Sequence, residues 1–388
     1  SGIGIQGNAE GASIVGGTGG DGGIAADGRG GNGGSGGVAV QFTNSVVSLF
    51  INSGTIIGGT GGQGGLGLSG RAAAGAGGAA IVGENITVAN FGTITGGLSG
   101  DGATRANAIT FLGIQNTLQI TGTSVIVGNV VAAGGGTNPL NFAGSGTLAF
   151  DMSSVGATAQ YQGFNVITKA TSSTWVLSGT TTATLAWRID AGAFAVSSDA
   201  TLGAAAGTLT FGSGGGSGGG LRWDASFDTA RTVTLDSGGA NLNTNGFTAT
   251  MSGPIGGVGR LRKTGAGTLT LTGVNTYQGG TAANGGTLSV SADANLGAAS
   301  GNIGFNGGTL RTTASFSTAR NVVLNGAGTF ETATGTTLTV GGIISNTGGL
   351  TKTGAGTLVL SGTNTYQGGT TLNAGTLSIS ANSALGDS

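Results

Sequence analysis

The chain has 388 residues, of which 89 are Gly, 2 are Pro and none is Cys or His. Without Cys or His it has no disulfide framework, no zinc site built on these ligands and no histidine base for a nucleophile, and the scarcity of Pro excludes collagen. The formal net charge is −1 and the 13 Lys and Arg residues are scattered, so nucleic acid is not a predicted partner.

Residues 1–145 are predicted to form Gly-rich repeats of a β-solenoid, each about 40 residues long. GGTGGDGG at 16–23 recurs as GGTGGQGG at 58–65. NSGTIIGG at 52–59 recurs as NFGTITGG at 90–97. Between these phrases we expect short apolar strands joined by Gly-rich loops.

Two aspartates in the first Gly-rich stretch, Asp21 and Asp27, resemble the acidic positions of calcium-binding nonapeptide repeats. Such a site needs an acidic residue in each successive turn, whereas the aligned copy has Gln63 in place of Asp21. The ladder of ligands is therefore interrupted, and no metal site is predicted.

Residues 146–388 contain longer units, which repeat after roughly 90 residues. KTGAGTLTLTGVNTYQGG at 263–280 and KTGAGTLVLSGTNTYQGG at 352–369 differ at three positions, so fifteen of eighteen are identical. A more divergent copy begins at Lys169, and its extra residues fall in the Gly/Ser stretch 212–220. The predicted units are 169–262, 263–351 and the shortened 352–388.

Apolar and hydroxyl side chains alternate within each unit. In GTLTL, Leu269 and Leu271 share one face and Thr268 and Thr270 share the other, which predicts a half-buried strand. The next such strand contains Leu288; its distance along the chain from Leu269 is too long for a tight hairpin, and no helical segment is present for a crossover. We therefore predict an all-β fold: one continuous parallel β-solenoid (β-helix) of about 19 coils in a single elongated rod, about 90 Å long at about 4.8 Å per coil.

The phrase KTGAGTLxLxGxNTYQGGT, with GTL and LG after it, covers 263–297 and 352–386 and resembles the passenger-associated transport repeat, also called the autotransporter-associated β-strand repeat. The resemblance implies a right-handed parallel β-helix in the passenger of a type V secreted protein. It implies secretion across the outer membrane of a Gram-negative bacterium through a C-terminal β-barrel of the same polypeptide, with display on the cell surface or release from it. It also implies that the repeats assist secretion and form a stalk.

Two tryptophans are the predicted ligand-binding residues. Trp187 and Trp223 align with Thr281 and Thr312 of the next unit, which suggests that they face the solvent. Exposed Trp stacks on sugars or anchors a protein partner. Trp175 aligns instead with a leucine and is expected in the core.

Asp224 and Asp228, with Arg222 and Arg231 beside them, are the carboxylate pair that a carbohydrate-active β-helix enzyme would need. The next unit replaces both aspartates but keeps both arginines, which favours ion pairs at the surface over catalysis. No catalytic residue and no cofactor is therefore predicted.

The leading interpretation is a non-catalytic stalk segment of a surface adhesin or biofilm factor. The alternatives are a carbohydrate-active β-helix enzyme, such as a lyase or hydrolase, and a glycan-binding β-helix. The predicted partners are a host or matrix protein or glycan, the cognate outer-membrane β-barrel of the full-length chain, and further copies of the chain that meet at exposed coil ends.

Overall fold

A computed structural model describes residues 4–25, 29–43, 48–212 and 218–386. The described residues form β-strands and short 3-10 helices, and no α-helix occurs among them. None of their helices is long and apolar enough to cross a membrane. The chain divides into unit 1 (Ser1–Gly144, Asp151–Thr168 and Thr181–Leu185) and unit 2 (Ser145–Phe150, Lys169–Thr180 and Ala186–Ser388).

The strands in the first part of the chain are short. They are β1 (Gly4–Asn8), β2 (Ser13–Val15), β3 (Val40–Gln41), β4 (Ser48–Asn52), β5 (Thr55–Ile57), β6 (Leu66–Gly67), β7 (Gly70–Arg71), β8 (Ile81–Gly83), β9 (Ile86–Asn90), β10 (Thr93–Thr95), β11 (Ile109–Phe111), β12 (Thr117–Ile120), β13 (Val125–Val127), β14 (Val130–Ala132), β15 (Pro139–Phe142), β16 (Thr147–Asp151), β17 (Tyr161–Gln162) and β18 (Val166–Lys169).

The later strands have similar lengths. They are β19 (Thr174–Ser178), β20 (Ala186–Ile189), β21 (Ala193–Val196), β22 (Thr208–Phe211), β23 (Gly219–Trp223), β24 (Val233–Leu235), β25 (Ala240–Asn243), β26 (Thr248–Met251), β27 (Ile255–Gly257), β28 (Leu261–Thr264), β29 (Thr268–Leu271), β30 (Thr281–Ala283), β31 (Thr287–Val290), β32 (Ile303–Phe305), β33 (Thr309–Thr312), β34 (Phe316–Thr318), β35 (Val322–Leu324), β36 (Gly328–Thr332), β37 (Thr337–Val340), β38 (Ile344–Ser345), β39 (Leu350–Thr353), β40 (Thr357–Leu360), β41 (Thr370–Leu372) and β42 (Thr376–Ile379). The 3-10 helices are Met152–Ser154, Asp199–Leu202, Asp293–Leu296 and Asn382–Leu385.

Unit 1 contains parallel sheets with the strand orders β1-β4-β9-β12-β15-β18, β2-β5-β10-β13 and β3-β8-β11-β14-β17, besides the antiparallel β6–β7 hairpin. Apart from that hairpin, strands that follow each other in the chain lie in different sheets, so the chain visits each sheet once per winding. Phe50, Val88, Leu118 and Leu140 hold matching positions on neighbouring strands of the first sheet, and all are buried. Each such side chain contributes about 1.5–3 kcal/mol by its burial, so these columns stabilise the stack.

The Gly-rich phrases of unit 1 are ordered, although we expected loops there. Extended segments 16–25, 29–39, 58–65, 72–79 and 96–100 lie side by side, and we call this array the glycine lattice. Every third residue donates its N–H to a neighbouring segment, as in the bonds of Gly16, Gly19 and Gly22 to the carbonyls of Ile57, Thr60 and Gln63. A repeat of three residues is that of the polyproline II helix, which has no hydrogen bonds within itself.

The glycine lattice has two layers, and its interior excludes side chains. Segment 58–65 runs parallel to 16–25 in one layer and antiparallel to segments 29–39 and 72–79 of the other. A Cβ added to Gly62 would lie 2.0 Å from the carbonyl oxygen of Gly20, whereas a Cβ on Gly20 would have no atom within 4 Å. Glycine at the inner positions is therefore a requirement of close backbone approach.

Unit 2 contains parallel sheets with the strand orders β20-β22-β24-β27, β16-β19-β21-β23-β25-β28-β30-β32-β35-β38, β26-β29-β31-β33-β36-β39-β41 and β34-β37-β40-β42. The predicted parallel return of the chain is confirmed in three pairs, namely Leu269 with Leu288, Leu358 with Leu377, and Trp175 with Phe194. Leucines 269, 288 and 310 form a buried column, while Thr268, Thr287 and Thr309 lie in register on the opposite face of the same strands. Both units are thus all-β and parallel, an arrangement consistent with a β-solenoid.

Candidate functional site

All three lysines of the chain are buried inside unit 2, at one position of each repeat copy. Lys169, Lys263 and Lys352 have no exposed surface. The ammonium of Lys263 donates to the carbonyl oxygens of Thr264, Gly265 and Gly285 at 3.0, 2.8 and 3.0 Å. Because Gly285 lies one winding later than Gly265, the lysine ties two successive turns of the backbone together.

We call these three buried lysines, one in each repeat copy, the lysine cluster. A glycine lies beside each of their ammonium groups and leaves the space that the group needs. Gly286 has φ +58° and a Cβ there would lie 2.8 Å from Lys263 Nζ and 2.4 Å from the carbonyl oxygen of Gly267. Gly192 and Gly375 have the same relationship to Lys169 and Lys352. Glycine at this repeat position is therefore fixed both by its left-handed backbone and by the space the ammonium needs.

Each lysine of the cluster has a pKa below the ordinary value of a lysine, because its ammonium is buried. Burial lowers the pKa of Lys169 and of Lys263 to about 8, since desolvation disfavours the ammonium form. Burial also lowers the pKa of Lys352, although the carboxylate of Glu331 opposes that shift. An ammonium donates three hydrogen bonds, which matches the three carbonyl acceptors around Lys263.

A second buried cluster joins an arginine to the 3-10 helix of the preceding winding. Arg320 Nε donates to Asp293 Oδ1 at 2.8 Å and its Nη2 donates to Asp293 Oδ2 at 3.1 Å. The same guanidinium donates to the carbonyl oxygens of Gly297 and Gly301 at 2.7 and 3.0 Å. We call this arrangement the arginine clasp; a bidentate pair of this kind is strong and geometrically specific.

The arginine clasp recurs in the earlier repeat copy. Arg231 donates to both carboxylate oxygens of Asp199, at 2.8 and 3.0 Å, and to the carbonyl oxygens of Gly203 and Ala204, both at 2.7 Å. The prediction that Arg231 takes part in an ion pair at the surface is wrong, because its side chain is 1% exposed. The third copy has Asn382 at the aspartate position.

Sequence reasoning missed both clusters, although the pattern contains a sign of each. Lys263 alternates with more exposed positions and shares a strand face with the buried Leu261, which places it inside. Arg231 and Arg320 hold the same position in two copies, which indicates a contact internal to the repeat.

Trp187 is buried, so the predicted solvent exposure is wrong. Its side chain is 1% exposed, and its Nε1 donates to the carbonyl oxygen of Leu202 at 2.9 Å. The aligned Thr281 is also buried, and its hydroxyl donates to the equivalent carbonyl oxygen, that of Leu296. The indole therefore replaces an inward-facing hydroxyl. The sequence contained a sign of this, because residues alternate between the two faces of a strand and the charged Arg188 next to Trp187 faces outward.

Trp223 is also buried, which corrects the second exposure prediction. Its side chain has no exposed surface and shares a strand face with Leu221. The ring stacks on Phe227 at a centroid distance of 5.7 Å, and its Nε1 has no hydrogen-bond partner. Neither tryptophan presents a platform to a sugar. Trp175, expected in the core, is 2% exposed.

Asp224 and Asp228, the two carboxylates that a carbohydrate-active enzyme would need, bond to different partners. Asp224 forms a two-bond ion pair with Arg222, at 2.7 and 2.8 Å. Asp228 Oδ1 accepts a hydrogen bond from the backbone N–H of Thr250 at 2.8 Å. Nothing in this geometry supports their cooperation as an acid and a base.

The calcium candidates do not form a site among the described residues. Asp21 Oδ1 accepts a hydrogen bond from the backbone N–H of Gln63 at 2.8 Å, so it orders the glycine lattice. No group of three or more potential metal-ligating side chains occurs in the part of the chain that the structure describes. Asp27 and residues 213–217 of the Gly/Ser stretch lie outside the described residues.

Comparison with known proteins identifies the repeats that contain two of the three buried lysines. The family model of the passenger-associated transport repeat matches residues 261–290 and 350–379, which include Lys263 and Lys352. The adhesin BmaC autotransporter of Brucella suis biovar 1 (strain 1330) is 53% identical over 133 residues. That alignment covers 34% of this chain and 4% of the relative, so the chain corresponds to a small part of that protein's length. No solved structure matches the chain.

These similarities agree with the resemblance seen in the repeats, and they indicate a surface-displayed protein secreted through the outer membrane of a Gram-negative bacterium. Residues 261–290 and 350–379 thus match the passenger-associated transport repeat, and about a third of the chain is similar to part of an autotransporter adhesin.

Proposed function

We propose that this chain is a non-catalytic stalk segment in the passenger of a type V secreted adhesin. In this proposal it is a right-handed parallel β-helix of about 19 coils, at about 20 residues per coil. Gly-rich repeats form residues 1–145, and the transport repeats form residues 146–388. The three parallel returns of unit 2 support the coil length, and the similarity to an adhesin supports the class.

The observation that carries the proposal is the recurrence of the lysine cluster and the arginine clasp at fixed repeat positions. These polar groups are repeated and buried, and they bond to backbone carbonyls, so they are not available to a substrate or ligand. The bonds of Lys169 go to the nearby Thr171 and Ser173. Lys263, Lys352 and both arginine clasps each join one winding to another. Their role is therefore mechanical: they hold a long parallel stack, whose hydrophobic columns alone would not fix the register.

The same contacts suggest how the repeats assist secretion. A chain without Cys and with only 2 Pro crosses a membrane as a thread without disulfide or isomerisation barriers. Outside the cell, each arginine clasp forms only after two windings have stacked. Progressive stacking then opposes return of the thread, and the finished stalk presents the adhesive part of the passenger to a host or matrix protein or glycan.

The experiment is a secretion assay on the full-length passenger with Leu269→Asp, which places a charge in the buried column. We expect less passenger at the cell surface by antibody labelling and faster digestion by added protease. Thr270→Asp, on the outward face of the same strand, is the matched control and should leave both readouts near the parent values. Equal behaviour of the two variants would contradict the stacking mechanism.

A further inference from the structure

One sheet of unit 2 presents an outward face made almost wholly of hydroxyl side chains. In β26-β29-β31-β33-β36-β39-β41, the first outward position of every strand is threonine, and these threonines are aligned strand to strand. We call this surface the threonine face. Its accessible residues are Thr248, Thr250, Thr268, Thr270, Thr287, Thr309, Arg311, Thr329, Glu331, Thr351, Thr353 and Thr371. Ser289 lies on the same side of its strand but is buried.

The two charges of the threonine face have opposite signs and lie on two adjacent strands near its centre. Arg311 on β33 and Glu331 on β36 are directly paired in register, with a separation of 3.5 Å between Nε and Oε1. Both remain accessible, at 47% and 33% of their side-chain surfaces. With one cation and one anion side by side, the face is electrically self-complementary under a two-fold rotation.

We propose that the threonine face binds a second copy of this chain. A two-fold axis between the faces, parallel to the strands and midway between β33 and β36, places Arg311 of one copy opposite the partner's Glu331. The same operation places Thr309 opposite the partner's Thr329 and Thr287 opposite the partner's Thr351. The stacks of the two copies then run in opposite directions, and the four charges form a square of alternating sign.

The threonine face suits this occupant better than a charged or aromatic-binding ligand. Its strands carry no other outward charge, so like charges do not meet anywhere in the two-fold arrangement. They carry no outward aromatic ring on which a sugar would stack. Thr side chains offer both a methyl and a hydroxyl that donates and accepts, so a row of Thr can bond to an identical row.

The size of the threonine face predicts a weak contact per segment. Six intervals of about 4.8 Å and strands of four residues at about 3.3 Å give a patch of roughly 380 Å². Two such patches bury roughly 800 Å² in total, below the roughly 1,200 Å² of a standard stable interface. Association therefore becomes strong only where many copies are held side by side, because multivalency multiplies weak contacts.

The test uses beads densely coated with the folded chain, whose clustering is followed by light scattering. Wild-type beads should cluster, while beads carrying only Arg311→Glu or only Glu331→Arg should cluster about tenfold less, because each variant then sets like charges together. Mixing the two kinds of bead should restore clustering, since each substituted charge then meets its opposite. The double variant carrying both substitutions should cluster with itself.

A steric pair of variants separates this face from the rest of the surface. Thr287→Lys should reduce clustering, whereas Thr337→Lys, on the outward face of β37 in another sheet, should not. Circular dichroism and protease resistance verify that each variant remains folded. Failure of wild-type beads to cluster, failure of the mixed charge variants to recover, or equal loss with Thr337→Lys would overturn the proposal. Since none of these readouts involves secretion, its failure is distinguishable from failure of the proposed function.

Discussion

Arg320 and Asp293 form a bidentate ion pair although 27 residues separate them in the chain. The equivalent Arg231 and Asp199 are 32 residues apart and form the same pair. In both cases the arginine comes from a later winding and closes over the 3-10 helix of an earlier one. The buried arginine thus finds its hydrogen-bond acceptors in the earlier winding. The carbonyl groups in and just after the earlier 3-10 helix in turn find their donor in the arginine.

Arg320→Met should therefore lower the free energy of unfolding by about 3 kcal/mol, at the lower end of the cost of breaking a buried pair because Asp293 is partly exposed. The loss arises from the missing ion pair and from the carbonyls of Gly297 and Gly301, which lose the guanidinium donor. Urea unfolding followed by circular dichroism measures the change.

Arg222→Met is the matched control, since Arg222 also forms a bidentate pair, with Asp224, but at the surface. A loss of less than about 1 kcal/mol is expected there, because solvent screens exposed pairs. A loss at Arg320 no larger than at Arg222 would show that the arginine clasp does not hold the stack.

The strands were predictable from sequence because their cause is local. Alternation of Leu and Thr in GTLTL fixes which face is buried, and the spacing between successive GTL phrases fixes the parallel partner. The glycine lattice was not predictable in this way, since its order comes from contacts between segments that lie far apart in the chain. Trp187 and Trp223 were misplaced because alignment with a threonine was taken to mean exposure, although the strand's own alternation places each beside buried residues.

Lys263 should give the folded chain a distinctive dependence on pH. Its pKa is lowered to about 8 in the folded state from its ordinary value of 10.5. Between these values the unfolded chain binds more protons than the folded chain, so stability should rise as pH increases from about 8 towards about 10. Above that range the rise should end, because burial raises the pKa of Tyr277 and its ionisation then favours the unfolded chain.

Lys263→Met tests this assignment through the slope of stability against pH, measured by urea unfolding at several pH values. The variant should show a smaller rise between about pH 8 and 10 than the parent, with Lys169 supplying part of what remains. The parent and the variant should show parallel pH profiles below about pH 7, where both states of the parent hold the proton. An unchanged slope would mean that Lys263 does not titrate in this range.

The glycine lattice predicts opposite results for two alanine substitutions in equivalent phrases. Gly62→Ala should disrupt unit 1, because the new Cβ would lie 2.0 Å from the carbonyl oxygen of Gly20 and only backbone movement relieves that clash. We expect a loss of at least about 2 kcal/mol, comparable with overpacking a closely packed core. Gly20→Ala has open space around its Cβ and should be neutral or slightly stabilising, because Ala restricts the unfolded chain.

Hydrogen exchange of the backbone amides separates the two alanine variants most directly. In Gly62→Ala, the amides of segments 16–25 and 58–65 should lose protection together, since their bonds depend on one close approach. In Gly20→Ala they should keep it. Equal protection in both variants would contradict the two-layer arrangement.

Trp187 and Trp223 differ in one respect that a conservative change isolates. Both are buried, but Trp187 Nε1 donates to the carbonyl oxygen of Leu202 while Trp223 Nε1 has no partner. Trp187→Phe should therefore cost more than Trp223→Phe, by about 1–2 kcal/mol, because only the first leaves a buried carbonyl without its donor. Thermal or urea unfolding of the two variants measures the difference. Both substitutions remove the same ring volume, so the cost of lost packing is similar in the two variants and the difference between them reports the hydrogen bond. Equal losses of stability would mean that the indole N–H contributes nothing at position 187.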